Sequence, residues 1–137
     1  MPLQLDVITP ERRLLSEQVD AATVPGLGGE LGILPGHTPL ISQLKTGVLS
    51  YTQGATTRRL LVSGGFVEIN DDRVSVLADF AEFPEEVDAA RARLERDEAE
   101  KQLAAFTGTP EELAKVSSQL DRAGARLQLA STSEVPR

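Results

Sequence analysis

Phe80-Ala81-Glu82-Phe83-Pro84-Glu85-Glu86-Val87-Asp88-Ala89-Ala90-Arg91-Ala92 is the stretch in which the hydrophobic period of this chain changes from about two to about 3.6. Before Phe83 the apolar residues come in short runs punctuated by Gly, Pro, Asn and Asp, the pattern of strands and turns. After it, Pro84 suits a first helical turn and Glu85 and Glu86 suit the positive end of a helix dipole. A charged, alanine-rich run then continues to Phe106. The stretch divides the chain into a β part over 1–83 and an α part over 84–137.

Working back from it, residues 66–69 and 74–78 flank Asn70-Asp71-Asp72, and residues 47–52 and 59–63 flank Gln53-Gly54-Ala55-Thr56; both read as hairpins. Residues 31–34 form a short strand between the loop Pro25-Gly26-Leu27-Gly28-Gly29 and the turn Pro35-Gly36, and residues 19–24 form a strand before that loop. Leu3, Leu5 and Val7 alternate with Gln4 and Asp6 until Thr9-Pro10, which gives a first strand with one buried face. Many short strands at near-regular spacing, with no helix needed among them, predict an antiparallel β-sandwich rather than a barrel.

Working forward, Thr107-Gly108 stops the first helix and Thr109-Pro110-Glu111-Glu112 starts a second. Thr109 is its N-cap, and Glu112 completes a capping box. Leu113, Val116, Leu120, Ala123, Leu127 and Ala130 then recur at alternating spacings of three and four, the seam of a helix packed on one partner. The matching seam of the first helix is thinner: Ala89, Ala92, Ala99, Leu103 and Phe106, interrupted by Arg96. An antiparallel two-helix hairpin over a short loop is expected. A fully buried Leu or Val contributes roughly 1.5–3 kcal/mol, whereas ordering one residue's backbone costs about 1–2 kcal/mol. A hairpin with so narrow a seam is marginal alone and able to undock. Gly124 costs about 1 kcal/mol relative to Ala inside the second helix; it reads either as a close-contact point or as a place to open. The polar tail over 131–137 is expected to fray.

The chain has 137 residues, 40% hydrophobic and 26% charged, a globular balance with room for one modest core. Without Trp, and with 4% aromatics, that core is aliphatic. A net charge of −7 with dispersed basic residues disfavours nucleic acid as a partner. No Cys and a single His exclude disulfide scaffolds, thiol catalysis and clustered Cys/His metal sites. The N-terminus lacks the basic-then-apolar order of a signal peptide, and no run of about 18 apolar residues occurs. Membrane association is expected only through partners.

Several features imitate chemistry. Gly26, Gly28, Gly29 and Gly32 miss the dinucleotide spacing, and no Lys-Ser or Lys-Thr follows at Walker spacing, so turns and close backbone contacts explain them and Gly64-Gly65. His37 stands without a nucleophile or ligand cluster and reads as a turn or interface contact. Glu95, Asp97, Glu98 and Glu100 are interleaved with Arg93, Arg96 and Lys101, the pattern of a solvated helix face with ion pairs. Arg122 and Arg126, four apart, share a face that serves either solubility or convergence on an anion. No catalytic constellation emerges.

Gly29-Glu30-Leu31-Gly32-Ile33-Leu34-Pro35-Gly36-His37-Thr38-Pro39-Leu40 closely resembles the GELGILPGHAPL-type segment of the epsilon subunits of bacterial F-type ATP synthases. Ser63-Gly64-Gly65-Phe66-Val67-Glu68 resembles their SGGFxE segment, Val76-Leu77-Ala78 their VLA strand, and Val87-Asp88-Ala89-Ala90-Arg91-Ala92 their (I/L)DxxRA motif. The resemblance implies an N-terminal β-sandwich that attaches gamma to the ring of c subunits. It also implies a C-terminal hairpin that regulates the enzyme, reaching the alpha and beta subunits when extended. The subunit so implied is non-catalytic and peripheral, at the cytoplasmic face of the bacterial cell membrane. Glu30 resembles the acidic loop position facing the c-ring, and His37 the position near gamma. Glu82, Asp88, Arg91, Ala92, Arg122 and Arg126 match the positions that surround a regulatory ATP in relatives that bind it; no cofactor is otherwise implied. Val87 stands where Ile or Leu is usual, and Glu98 where an ATP-binding relative can carry a further arginine. Outside that resemblance, the rival readings are a free-standing small-molecule enzyme and a soluble nucleotide-sensing adaptor whose hairpin binds an unrelated helical partner.

Overall fold

The computed structural model describes residues 2–133, the last two by backbone alone. Ten strands form two five-stranded sheets. In chain order they are β1 (Leu3–Ile8), β2 (Arg13–Val19), β3 (Ala21–Gly26), β4 (Gly29–Ile33), β5 (Leu40–Gln43), β6 (Gly47–Gln53), β7 (Thr56–Ser63), β8 (Phe66–Asn70), β9 (Arg73–Leu77) and β10 (Phe80–Glu82). The first sheet runs β2-β1-β9-β8-β5 and the second β10-β7-β6-β3-β4. Two helices follow, α1 (Ala89–Ala104) and α2 (Pro110–Ser133). The sandwich and the two-helix arrangement are as expected, with one refinement: β1 and β9 pair in parallel, whereas the other strand pairs are antiparallel.

The core lies between the sheets and is aliphatic. Leu3, Leu5, Val7, Val67, Ile69, Val74 and Val76 face Val24, Ile33, Leu49, Leu60 and Val62 across it. Both predicted hairpins form. Asp71 and Asp72, at φ 50° and 58°, make the doubly left-handed two-residue turn that matches strand twist. Gly65, at φ 89°, has no room for a side chain, because a Cβ there would overlap the Leu77 carbonyl oxygen.

Three expectations are corrected upstream of the helices. The strand expected over 19–24 is β3, which begins at Ala21, while Val19 closes β2, a strand over Arg13–Val19 that was not expected. The glycine-rich loop is shorter than expected: β3 continues through Pro25 and Gly26, and only Leu27-Gly28 turn the chain into β4. Strand β5, on the edge of the first sheet, was not anticipated, since Leu40–Gln43 is only four residues long and shows no alternation of apolar and polar residues.

The first helix starts later than Pro84. Pro84–Glu86 is one separate 3-10 turn, Val87 is extended at φ −86° and ψ 126°, and Asp88 caps α1 by accepting the Arg91 N–H at 3.1 Å. The capping box at α2 forms as read: Thr109 Oγ1 accepts the Glu112 N–H at 3.1 Å, and Glu112 accepts the Thr109 N–H at 2.9 Å. Gly124 is not a close-contact point, because it is exposed and a Cβ there meets nothing within 4 Å. The expected frayed tail begins too early, since α2 runs through Ser133; the rest of that expectation lies outside the described residues. Among the described residues no helix is long and apolar enough to cross a membrane.

Candidate functional site

Strand β7 carries four consecutive buried residues, Leu60-Leu61-Val62-Ser63, so both of its faces are covered. Leu60 and Val62 point into the sandwich, and alternation places Leu61 and Ser63 outside. Register aligns Leu61 with Val48 and Glu82, and Ser63 with Phe80. The outer face of the second sheet thus presents Val48, Leu61 and Phe80 with Ser63 and Glu82 among them.

Helix α2 covers that face. Arg122, Ala125, Arg126 and Leu129 recur at i, i+3, i+4 and i+7, which puts them on one side of the helix. Leu129 and Ala125 are buried with Leu61 in a small apolar cluster flanked by Val48, Phe80 and Val87. The seam toward α1 lies about 140° further round the helix at ~100° per residue; there Ala123 is buried against a partner that buries Ala92 and Ala99. Reading the sequence for one seam found this second face and missed the first. The missing signal was present in β7, where Leu61 breaks the alternation between Leu60 and Val62.

The two arginines on the sheet-facing side are held in place. Arg122 donates from Nε to Ser63 Oγ at 3.2 Å, and that hydroxyl is in turn 2.7 Å from Thr46 Oγ1. Arg126 donates from Nε to Glu82 Oε1 at 2.9 Å and from Nη1 to Glu95 Oε1 at 3.1 Å. Both guanidinium groups lie over the Phe80 ring, 5.0 and 5.2 Å from its centroid. Arg126 and Glu82 are only 21% and 19% exposed, so this pair is better shielded from water than an ordinary surface ion pair. Arg126 joins the sandwich, α1 and α2 through a single side chain.

Around this bridge are two adjoining cavities that share Glu95 and Arg126. One, of about 260 Å³, is lined by Glu82, Glu86, Asp88, Arg91, Glu95 and Arg126. The other, of about 330 Å³, includes Arg122, Arg126, Glu95, Glu98, Gln102 and Gln119. The fold therefore brings Glu82, Asp88, Arg91, Arg122 and Arg126 to one region from a strand, a helix cap and two helices. Ala92 lines neither cavity, its methyl being buried in the helix seam. Asp88 spends one carboxylate oxygen on the α1 cap. Glu95, read from sequence as part of a solvated helix face with ion pairs, is 40% exposed and pairs with Arg91 and Arg126, and it lines both cavities.

Glu86 closes the junction below the first cavity. Its carboxylate accepts from Arg12 Nη2 and from the Phe83 N–H, both at 2.8 Å, and these bonds, Arg12 first, hold its carboxyl below the usual Glu range. The Arg12 guanidinium is raised in turn by the same bond. Glu30 and His37 lie elsewhere. Glu30 is exposed on β4 beside the Leu27-Gly28 turn. His37 is half-buried in the loop that follows, its Nδ1 2.7 Å from the Thr38 carbonyl oxygen, while the Gly36 N–H donates to Asp72 at 2.7 Å. A further cavity of about 550 Å³ is lined by Tyr51, Arg58, Phe83, Pro84 and Glu85 among others.

Two family models match the chain in succession. A family model described as the β-sandwich domain of the ATP synthase delta/epsilon chain matches residues 2–84, and one described as the long α-helix domain of that chain matches residues 85–131. The ATP synthase epsilon chain of Nitratidesulfovibrio vulgaris (strain DP4) is 46% identical over 101 residues, 74% of this chain and 75% of that one. That of Desulforamulus reducens is 45% identical over 100 residues, 73% and 76% of the two chains. A chain in the Euglena gracilis mitochondrial ATP synthase (OSCP/F1/c-ring) superposes with a TM-score of 0.81 at 25% identity, covering 95% of this chain and 81% of that one. One from the Tetrahymena thermophila mitochondrial ATP synthase shares the fold, with a TM-score of 0.64 at 15% identity over 98% of both chains. With both halves matched in order and relatives this similar over most of its length, the chain belongs to the delta/epsilon chain family of ATP synthases, as a non-catalytic subunit.

Proposed function

We propose that this chain is the epsilon subunit of the central rotor stalk of a bacterial ATP synthase. In this reading the sandwich couples gamma to the c-ring during proton-driven synthesis, and the hairpin restrains ATP hydrolysis. The chain then sits at the cytoplasmic face of the cell membrane through the complex alone. Glu30 and His37 are the contact residues of the sandwich. The exposed apolar Leu27 and Leu34 beside them support that assignment, as does the tie from Gly36 to Asp72 that fixes the loop.

The observation that carries the regulatory part is the bridge at Arg126. The docked hairpin rests on one small apolar cluster and one shielded set of polar contacts, an interface that can open without disturbing the sandwich core. The compact hairpin exchanges with an extended one that lies along gamma and reaches the alpha and beta subunits. ATP bound to the compact form biases the exchange by its differential affinity for the two states. Arg91, Arg122 and Arg126 take the phosphates by charge-assisted hydrogen bonds, and Glu82 and the free oxygen of Asp88 accept from adenine or ribose. Deleting residues 87–137 and measuring ATP hydrolysis by the assembled complex tests the inhibitory role: hydrolysis rises if the hairpin restrains it, and unchanged hydrolysis at every nucleotide concentration rejects the restraint.

A further inference from the structure

The position that a phosphate would take on Arg126 is already filled. Glu95 Oε1 accepts from Arg126 Nη1 at 3.1 Å, while its other oxygen, Oε2, lies 3.5 Å from Arg91 Nε. One carboxylate therefore bridges two arginines, one from α1 and one from α2, as a phosphate group does between two guanidinium groups. Glu95 also stands at the wall shared by the two cavities, so a ligand spanning them must pass it.

We propose that Glu95 is a tethered competitor for the nucleotide phosphates: it occupies Arg91 and Arg126 in the empty compact hairpin and must be displaced when ATP binds. The inference rests on the nucleotide reading of this site and adds the residue that sets its affinity. Three observations favour an exchange over a permanent lock. Glu95 is 40% exposed, and exposed ion pairs are weak enough for a multiply charged phosphate to displace them. Arg126 keeps its Nε bond to Glu82 when Glu95 leaves, so the guanidinium stays aimed at the cavity. The carboxylate of Glu95 sits on a helical side chain whose release requires rotation about its own bonds and no movement of α1.

Two consequences follow for the hairpin. Without ligand the compact hairpin keeps the contacts of Glu95 to Arg91 and Arg126, so these arginines are not left unpaired before nucleotide binds. With ligand, the gain from the phosphates is reduced by the loss of the Glu95 bonds, which places the affinity below that of an otherwise similar site without this residue. Glu98, which lines the second cavity and accepts from Gln102 Nε2 at 3.4 Å, adds negative charge there.

Calorimetric titration of ATP into the full chain tests the inference, using the wild-type protein, Glu95→Gln, Glu100→Gln and Arg126→Ala. Glu100 is exposed on the same helix and removes the same charge outside the cavities. The inference predicts that Glu95→Gln binds ATP about 5- to 10-fold more tightly than wild type, up to about 1.4 kcal/mol. It predicts that Glu100→Gln changes affinity less than twofold, and that adenosine, which lacks phosphates, is bound equally by wild type and Glu95→Gln. Equal ATP affinity in wild type and Glu95→Gln, or an equal gain in Glu100→Gln, overturns the competitor role while leaving the nucleotide site standing. If neither wild type nor Glu95→Gln takes up ATP at millimolar concentration, the nucleotide reading falls, and the competitor role with it.

Discussion

The sandwich and the hairpin are built on opposite terms. Between its sheets the sandwich buries Leu3, Leu5, Ile33, Leu49, Leu60, Ile69 and a set of valines completely. The hairpin meets the sandwich through Leu129, Ala125 and Leu61, and its own two helices meet through Ala92, Ala99 and Ala123. Each alanine buries little apolar area, so the hairpin gains far less per ordered residue than the sandwich does. What it adds are the polar contacts of Arg122 to Ser63 and of Arg126 to Glu82 and Glu95.

The largest expected effect comes from breaking each half at its own leucine. Leu60→Ala should cost about 2–5 kcal/mol of global stability, because it opens a cavity in the sandwich core. Leu129→Ala removes a similar volume, yet the expected result is undocking of α1 and α2 with the sandwich transition unmoved, read by urea denaturation followed with separate probes in each half. Next comes Arg126→Ala, which strips Glu82 of its partner and removes one of the two guanidinium groups over Phe80; about 1–3 kcal/mol of docking should be lost by the same measurement. Smaller, and opposite in sign, Gly124→Ala should stabilise α2 by about 1 kcal/mol without a clash and shift the hairpin toward its helical form.

The smallest effect is that of acid on the junction. Glu86 titrates below its ordinary value in the folded chain, so its contribution is fully present above the usual Glu range near pH 4.3 and is lost as pH falls through the lowered value. Acidification below about pH 4 should therefore loosen the link between Pro84–Glu86 and the β1–β2 loop, and Glu86→Gln should remove that part of the pH dependence. Comparing the acid limbs of the two unfolding curves checks both.

Most of the fold was legible because it rests on local rules. The strand at Leu3–Ile8, the turn around Asp71-Asp72 and the capping box at Thr109 and Glu112 each depend on a few adjacent residues and formed, although Asn70 ends β8 rather than joining the turn, and Asp6, expected on the open face of β1, is buried there beside Ser16. The helix start at Pro84 was misread because Pro84-Glu85-Glu86 suits a first turn equally well whether or not the helix continues. What ends that turn is the long-range bond from Arg12 to Glu86 together with the Asp88 cap. The site was legible only in part. Resemblance brought Glu82, Asp88, Arg91, Arg122 and Arg126 together, but Ser63, Phe80 and Glu95 enter through strand register and the packing of α2, which no local pattern encodes.

Native-state hydrogen exchange on the isolated full chain tests the separation of the two halves most directly. The account predicts that amides of α1 and α2 exchange through an opening of lower free energy than those of β1, β7 and β8, and that Leu129→Ala lowers the first without changing the second. Exchange of helices and strands at one common free energy, shifted together by Leu129→Ala, would contradict it.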